Sequence, residues 1–154
     1  MAFLIEKTFI PADNSITSRW LDNSETRREN MTYTFKTRRV LIVEDNPNMS
    51  SLLADILLQC FDLQSEKAQD GQEALEILKD QTFDLVITDL MMPKVDGKEL
   101  LKTVKQNFPQ LPVVLITGYE AEFNPEEEPK PDGFLLKPFK VQQIDEVLKR
   151  LPGA

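Results

Sequence analysis

Five polar residues stand where short apolar runs stop. Glu44 and Asp45 follow Val40-Leu41-Ile42-Val43, Asp89 follows Leu85-Val86-Ile87-Thr88, Thr117 follows Val113-Val114-Leu115-Ile116, and Lys137 follows Phe134-Leu135-Leu136. Three of the five are carboxylates, which repel one another and raise each other's pKa values when they converge. A hard divalent cation resolves that repulsion, and Mg²⁺ suits such a set because it takes a few carboxylates, often a carbonyl, and keeps several waters. An ammonium and a hydroxyl opposite a metal-held carboxylate describe a cradle for a phosphoryl group, with the cations neutralising its oxygens while the carboxylate attacks phosphorus in line. Asp89 is then the nucleophile, Lys137 and Thr117 its catalytic neighbours, and Glu44, Asp45 and Asp89 the metal-binding set. Each residue alone has an ordinary explanation: a helix cap, a surface charge, a packing hydroxyl. Five in this order reverse that reading.

For these residues to meet, the runs that precede them must share one sheet edge. From Val40 onward, short β-branched runs alternate with segments of helical period, the pattern of a parallel α/β sheet with helices on both faces. The helices expected are Asn48 to Phe61 with Leu52, Leu53, Ile56 and Leu57 inward, one after Asp70-Gly71 bearing Ala74, Leu75 and Leu78, Lys98 to Phe108, and Val141 to Leu151. A weaker strand, Leu63 to Ala68, has the polar composition of a sheet edge. Gly97 suits a left-handed backbone position before the third helix. In such a sheet the strand ends line one edge, where ligands bind as strand order reverses. Between Tyr119 and Asp132, Pro125, Pro129, Pro131 and the run Glu126-Glu127-Glu128 leave room for a short or irregular helix at most.

Composition narrows the chemistry further. The chain has no His and a single Cys60, so it holds no Cys-His or Ser-His pair, no imidazole metal ligand and no internal disulfide. Cys60 closes an apolar helical stretch and reads as a packing residue. Residues 1 to 39 carry seven Lys/Arg against five Asp/Glu, and residues 40 to 154 carry eleven against twenty-one. An acidic body of this kind repels nucleic-acid backbone and anionic membrane, so direct binding to either is not expected. The opening apolar run is only Ala2 to Ile5 and no stretch approaches the length of a membrane span, which fits a cytoplasmic protein. Residues 1–37, polar with scattered Phe3, Phe9 and Trp20, are expected to be a poorly ordered or loosely docked extension, and residues 38–154 the domain.

Val-Leu-Ile-Val-Glu44-Asp45-Asn, Asp84-Leu-Val-Ile-Thr-Asp89-Leu-Met-Met-Pro-Lys-Val-Asp-Gly97, Val113-Val-Leu-Ile-Thr117-Gly118 and Phe134-Leu-Leu-Lys137-Pro-Phe139 resemble the receiver domains of two-component response regulators. The resemblance runs from Arg38 to about Leu151. It implies a flavodoxin-like, doubly wound five-stranded parallel sheet of order 2-1-3-4-5, phosphorylated by a partner sensor histidine kinase or phosphotransfer protein. By position it makes Asp89 the phosphoacceptor and Glu44 and Asp45 the acidic pair at Mg²⁺. Met91 offers a backbone carbonyl to the metal, Thr117 is the switch hydroxyl, Phe134 the switch aromatic, and Lys137 the phosphoryl-contacting lysine, its bond to Pro138 cis. Glu44 stands where many relatives have Asp. With no output domain expected after the last helix, the expected output is binding to a downstream protein, with a homodimer compatible with the same family. Two other readings use the same fold: an interaction scaffold that no longer switches, and a flavin binder. The flavin binder needs a Ser/Thr/Gly phosphate loop where Glu44-Asp45 stands, and those carboxylates repel phosphate.

Overall fold

In the computed structural model, which describes residues 7–11, 18–22, 39–118, 124 and 126–152, the apolar runs become strands. In chain order the strands are β1 (Lys7–Pro11), β2 (Ser18–Asp22), β3 (Arg39–Val43), β4 (Gln64–Ala68), β5 (Leu85–Asp89), β6 (Val113–Thr117) and β7 (Gly133–Leu136). The helices are α1 (Pro47–Phe61), α2 (Gly71–Asp80), α3 (Gly97–Asn107) and α4 (Val141–Arg150). The chain forms two compact units, Met1–Tyr33 and Thr34–Ala154. In the first, β1 and β2 pair antiparallel with Phe9 opposite Trp20.

The second unit is built on one parallel sheet of order β4-β3-β5-β6-β7, which is the expected 2-1-3-4-5. Val40, Leu41, Ile42 and Val43 are all fully buried, as continuous apolar runs of a sheet covered on both faces must be. Alternation divides them between two faces. Leu41, Val43, Val86, Val113 and Leu115 join one core with Ala74 and Leu78 of α2 and Leu100, Leu101 and Val104 of α3. Ile42, Ile87 and Ile116 meet Leu53 of α1 on the other face. The polar β4 is indeed an edge strand.

Helices α1, α2 and α3 begin where a side chain satisfies their free N–H groups. Asn46 Oδ1 accepts from the amides of Asn48 and Met49 at 3.0 and 3.2 Å, with Pro47 in the first turn. Asp70 and Asp96 cap α2 and α3 in the same way, each at 2.8 Å. Burial in α1 follows Ser50, Leu53, Leu57 and Phe61, so Leu52, expected inward, is 54% exposed. Its position is about 100° round the helix from Leu53, off that stripe. In the segment 119–132 expected to be irregular, the described residues, Asn124 and 126–132, form no helix; residues 119–123 and 125 lie outside the described residues. Among the described residues no helix is long and apolar enough to cross a membrane.

Candidate functional site

The C-terminal edge of the sheet gathers the polar residues. β3 and β5 are hydrogen-bonded neighbours, so Glu44, one residue past β3, and Asp89, the last of β5, stand side by side. Both are nearly buried, 7% and 9% exposed, whereas Asp45 faces solvent. One carboxylate oxygen from each of the three lies within 4.8 Å of the others. Lys137 arrives from the end of β7, and its Nζ donates to Glu44 Oε2 and to Asp89 Oδ2, both at 3.1 Å. The second Glu44 oxygen accepts the backbone N–H of Asn46 at 3.0 Å. Asn46 therefore starts α1 and orients Glu44 at once. Its dipeptide with Pro47 signals the helix start, but nothing in the sequence announces the second contact.

The charges explain the protonation behaviour. Burial works against the Lys137 ammonium, yet its hydrogen bond to Glu44 and the charge and hydrogen bond of Asp89 outweigh that and hold its pKa above the ordinary lysine value. Glu44 is pushed the other way. Burial raises its pKa, the Asp89 charge adds to this, and the hydrogen bonds from Asn46 and Lys137 offset only part. One ammonium shared between two buried carboxylates, with a third at the rim, leaves the cluster short of positive charge. An all-oxygen, net-anionic donor set open to water on the Asp45 side is what a hard divalent cation requires, so these residues fit Mg²⁺.

Thr117 closes β6 and is fully buried; its carbonyl accepts the Lys137 amide at 2.8 Å, tying the two strand ends together. The following Lys137–Pro138 bond is cis, as the resemblance implies. Phe134 pairs with Leu115 in the β6–β7 register and packs against the α2/α3 core, and alternation puts Thr117 on that same face. Met91 lies two residues past Asp89 and is 50% exposed. The loop that carries it returns at Gly97, whose N–H donates to the Leu90 carbonyl at 2.9 Å. Gly97 is not left-handed as expected. A Cβ there would collide with the Asp89 carbonyl oxygen and stand 2.7 Å from Leu90 Cα, so glycine is needed for close approach. The positive φ of this loop belongs to Lys94, at 65°.

The profile of the response regulator receiver domain family matches residues 40–149. The chain is 32% identical over 127 residues to chemotaxis protein CheY-3 of Vibrio cholerae, covering 75% of this chain and 95% of that protein. It is 32% identical over 123 residues to the response regulator protein FleR of Pseudomonas aeruginosa, covering 75% of this chain but only 26% of FleR. Among solved structures, the response regulator protein TrrA of Thermotoga maritima in complex with Mg²⁺-BeF superposes with a TM-score of 0.64 at 28% identity, covering 73% of this chain and 97% of TrrA.

Proposed function

The chain belongs to the response regulator receiver domain family, and on that footing we propose that it is a phosphorylation-activated switch that takes a phosphoryl group from a histidine kinase or phosphotransfer protein onto Asp89. The observation that carries this reading is the Lys137 ammonium held 3.1 Å from both Glu44 and Asp89, with Asp45 completing a carboxylate triad. Residues 38–154 are the switch and residues 1–37 an extension to it.

The chemistry follows from the groups present. Asp89 uses a carboxylate oxygen as nucleophile; its new O–P bond forms as the N–P bond of the donor phosphohistidine breaks and the electron pair returns to the imidazole nitrogen. Lys137 already spans Glu44 and Asp89, so it stays anchored on Glu44 while its ammonium turns from the acceptor carboxylate to the arriving phosphoryl oxygens. Glu44, Asp45, Asp89 and the Met91 carbonyl would hold Mg²⁺, which supplies charge neutralisation at the phosphoryl oxygens. The buried Thr117 hydroxyl and the half-buried Phe134 ring are the element that phosphate biases, the hydroxyl turning to the phosphoryl group and the ring repacking on the β6–β7 surface. Output is a change in affinity for a downstream protein.

The test is incubation with acetyl phosphate and Mg²⁺ followed by intact mass. One phosphoryl group is expected on the parent chain and none on Asp89→Asn, because the amide is neither nucleophile nor good metal ligand. Undiminished labelling of Asp89→Asn, or labelling that survives chelator, overturns the assignment; absence of any labelling favours a receiver-like scaffold that does not switch.

A further inference from the structure

The loop from Leu90 to Asp96 leaves from the acceptor and returns against it at Gly97, so its two ends close on each other at the end of β5. Its far side rests on the start of α2, through three features that the site itself does not use. Lys94 Nζ donates to Asp70 Oδ2 at 2.8 Å, while Asp70 Oδ1 caps α2 by accepting the Glu73 amide at 2.8 Å. The Asp70 side chain is only 12% exposed although Lys94 is 69% exposed, so the carboxylate is a fixed anchor and the lysine the part that reaches it. Next to it, a Cβ on Gly71 would stand 2.7 Å from both the carbonyl oxygen and Cγ1 of Val95, so the loop backbone sits on a bare α-carbon. Lys94 adopts the left-handed φ of 65° that residues with side chains rarely occupy, at the very point where the loop turns towards Asp70. The anchor is itself braced, since Glu73 Oε2 accepts the Gln69 amide at 2.7 Å.

We propose that Asp70, Gly71 and Lys94 are positioning residues that seat the loop after Asp89 on the first turn of α2 and thereby set the affinity of the carboxylate triad for Mg²⁺. This rests on the reading of Met91 as the carbonyl ligand. Met91 is three residues from Lys94 on a loop closed at both ends, so a shift at Lys94 or Val95 has little slack in which to dissipate before it reaches that carbonyl. Among the described residues, neither Lys94 nor Gly71 forms a hydrogen bond or ion pair with Glu44, Asp45 or Asp89. Their effect is exerted through the loop backbone alone, as outer partners of a metal site act.

The experiment is calorimetric titration of the full chain with Mg²⁺, in parallel with metal-free melting, for the parent, Lys94→Ala, Lys94→Arg, Gly71→Ala and Lys79→Ala. The last removes a similarly exposed lysine, paired with the exposed Glu76 at the other end of α2. Lys94→Ala and Gly71→Ala should weaken Mg²⁺ binding about 3- to 10-fold, at or below the low end of outer-shell effects because the ion pair is partly exposed. Lys94→Arg should recover most of the loss, Lys79→Ala should bind like the parent, and Lys94→Ala should melt within about 2 °C of it. Unchanged affinity in both Lys94→Ala and Gly71→Ala overturns the proposal, as does Lys94→Arg failing to improve on Lys94→Ala. Failure of the parent itself to bind Mg²⁺ is a separate result, which overturns the metal reading of the site together with this one.

Discussion

Replacing Lys137 with methionine keeps the length and apolar stem of the side chain and deletes the ammonium that two carboxylates share. Glu44, Asp89 and Lys137 side chains are 7%, 11% and 25% exposed, so the cluster lies nearer the buried than the surface limit. Breaking a fully buried pair costs about 3–5 kcal/mol and a surface pair about 0–1 kcal/mol, which puts this loss at about 2 kcal/mol. For a domain of this size that is a fall of about 6–12 °C in metal-free melting temperature. The loss has a direction in pH as well. Without the ammonium Glu44, already raised by burial and by Asp89, moves higher still, so the penalty shrinks on acidification as Glu44 takes up a proton. Added Mg²⁺ should return most of the stability, and the interval between melting in chelator and in excess Mg²⁺ should be wider for Lys137→Met than for the parent, where the ammonium competes for the same oxygens. Thermal melts by circular dichroism in chelator and in Mg²⁺ provide the comparison. If Lys137→Met melted with the parent in chelator, or if Mg²⁺ left an equal gap between them, the ammonium would not be compensating the carboxylates and the electrostatic account of the site would be wrong.

Because Glu44 has a folded pKa above its unfolded 4.5, its contribution favours the fold at low pH and is lost as pH rises through the folded value; metal-free stability should therefore decline with rising pH above 4.5 more steeply in the parent than in Glu44→Gln, and parallel curves would contradict this. Asp132 Oδ2 accepts both Lys105 Nζ at 2.6 Å and the Val113 amide at 2.8 Å, so Asp132→Ala should cost about 2 kcal/mol in urea denaturation, against less than about 0.5 kcal/mol for the exposed Glu76→Ala. Thr117→Ala and Phe134→Ala should still take up a phosphoryl group by mass but lose most of the phosphorylation-dependent change in partner binding; an unaltered change in Thr117→Ala would break the proposed coupling.

The placement of Glu44, Asp89, Thr117 and Lys137 was legible because parallel strands end on one edge, and a run of β-branched residues marks its own end by the first polar residue after it. The strand order came from resemblance, since alternation and period carry no information on which strands are neighbours. Contacts set by close approach were harder to see. Gly97 resembles any turn glycine until the Asp89 carbonyl is found where its Cβ would be, and Asp70 resembles any helix cap until Lys94 is found on its second oxygen. Leu52 misled because Leu52, Leu53, Ile56 and Leu57, four large apolar residues in six positions of α1, exceed the width of one buried stripe. β1 and β2 gave no signal, being five residues each with Lys, Arg, Ser and Asp among them and no sustained alternation.

The Lys137–Glu44 contact joins residues 93 positions apart, and Lys137–Asp89 joins residues 48 apart. Chain closure over such separations is slow compared with the local pairing of α1 with β3 and β4, so the ammonium reaches the carboxylates only when β7 docks at the far edge of the sheet. During synthesis Glu44, Asp45 and Asp89 emerge well before Lys137, and a nascent domain holds its acids without their counter-charge. On the proposed function, competence to accept phosphate would wait for β7 to dock, so that uptake of label would report on a sheet already assembled to its far edge.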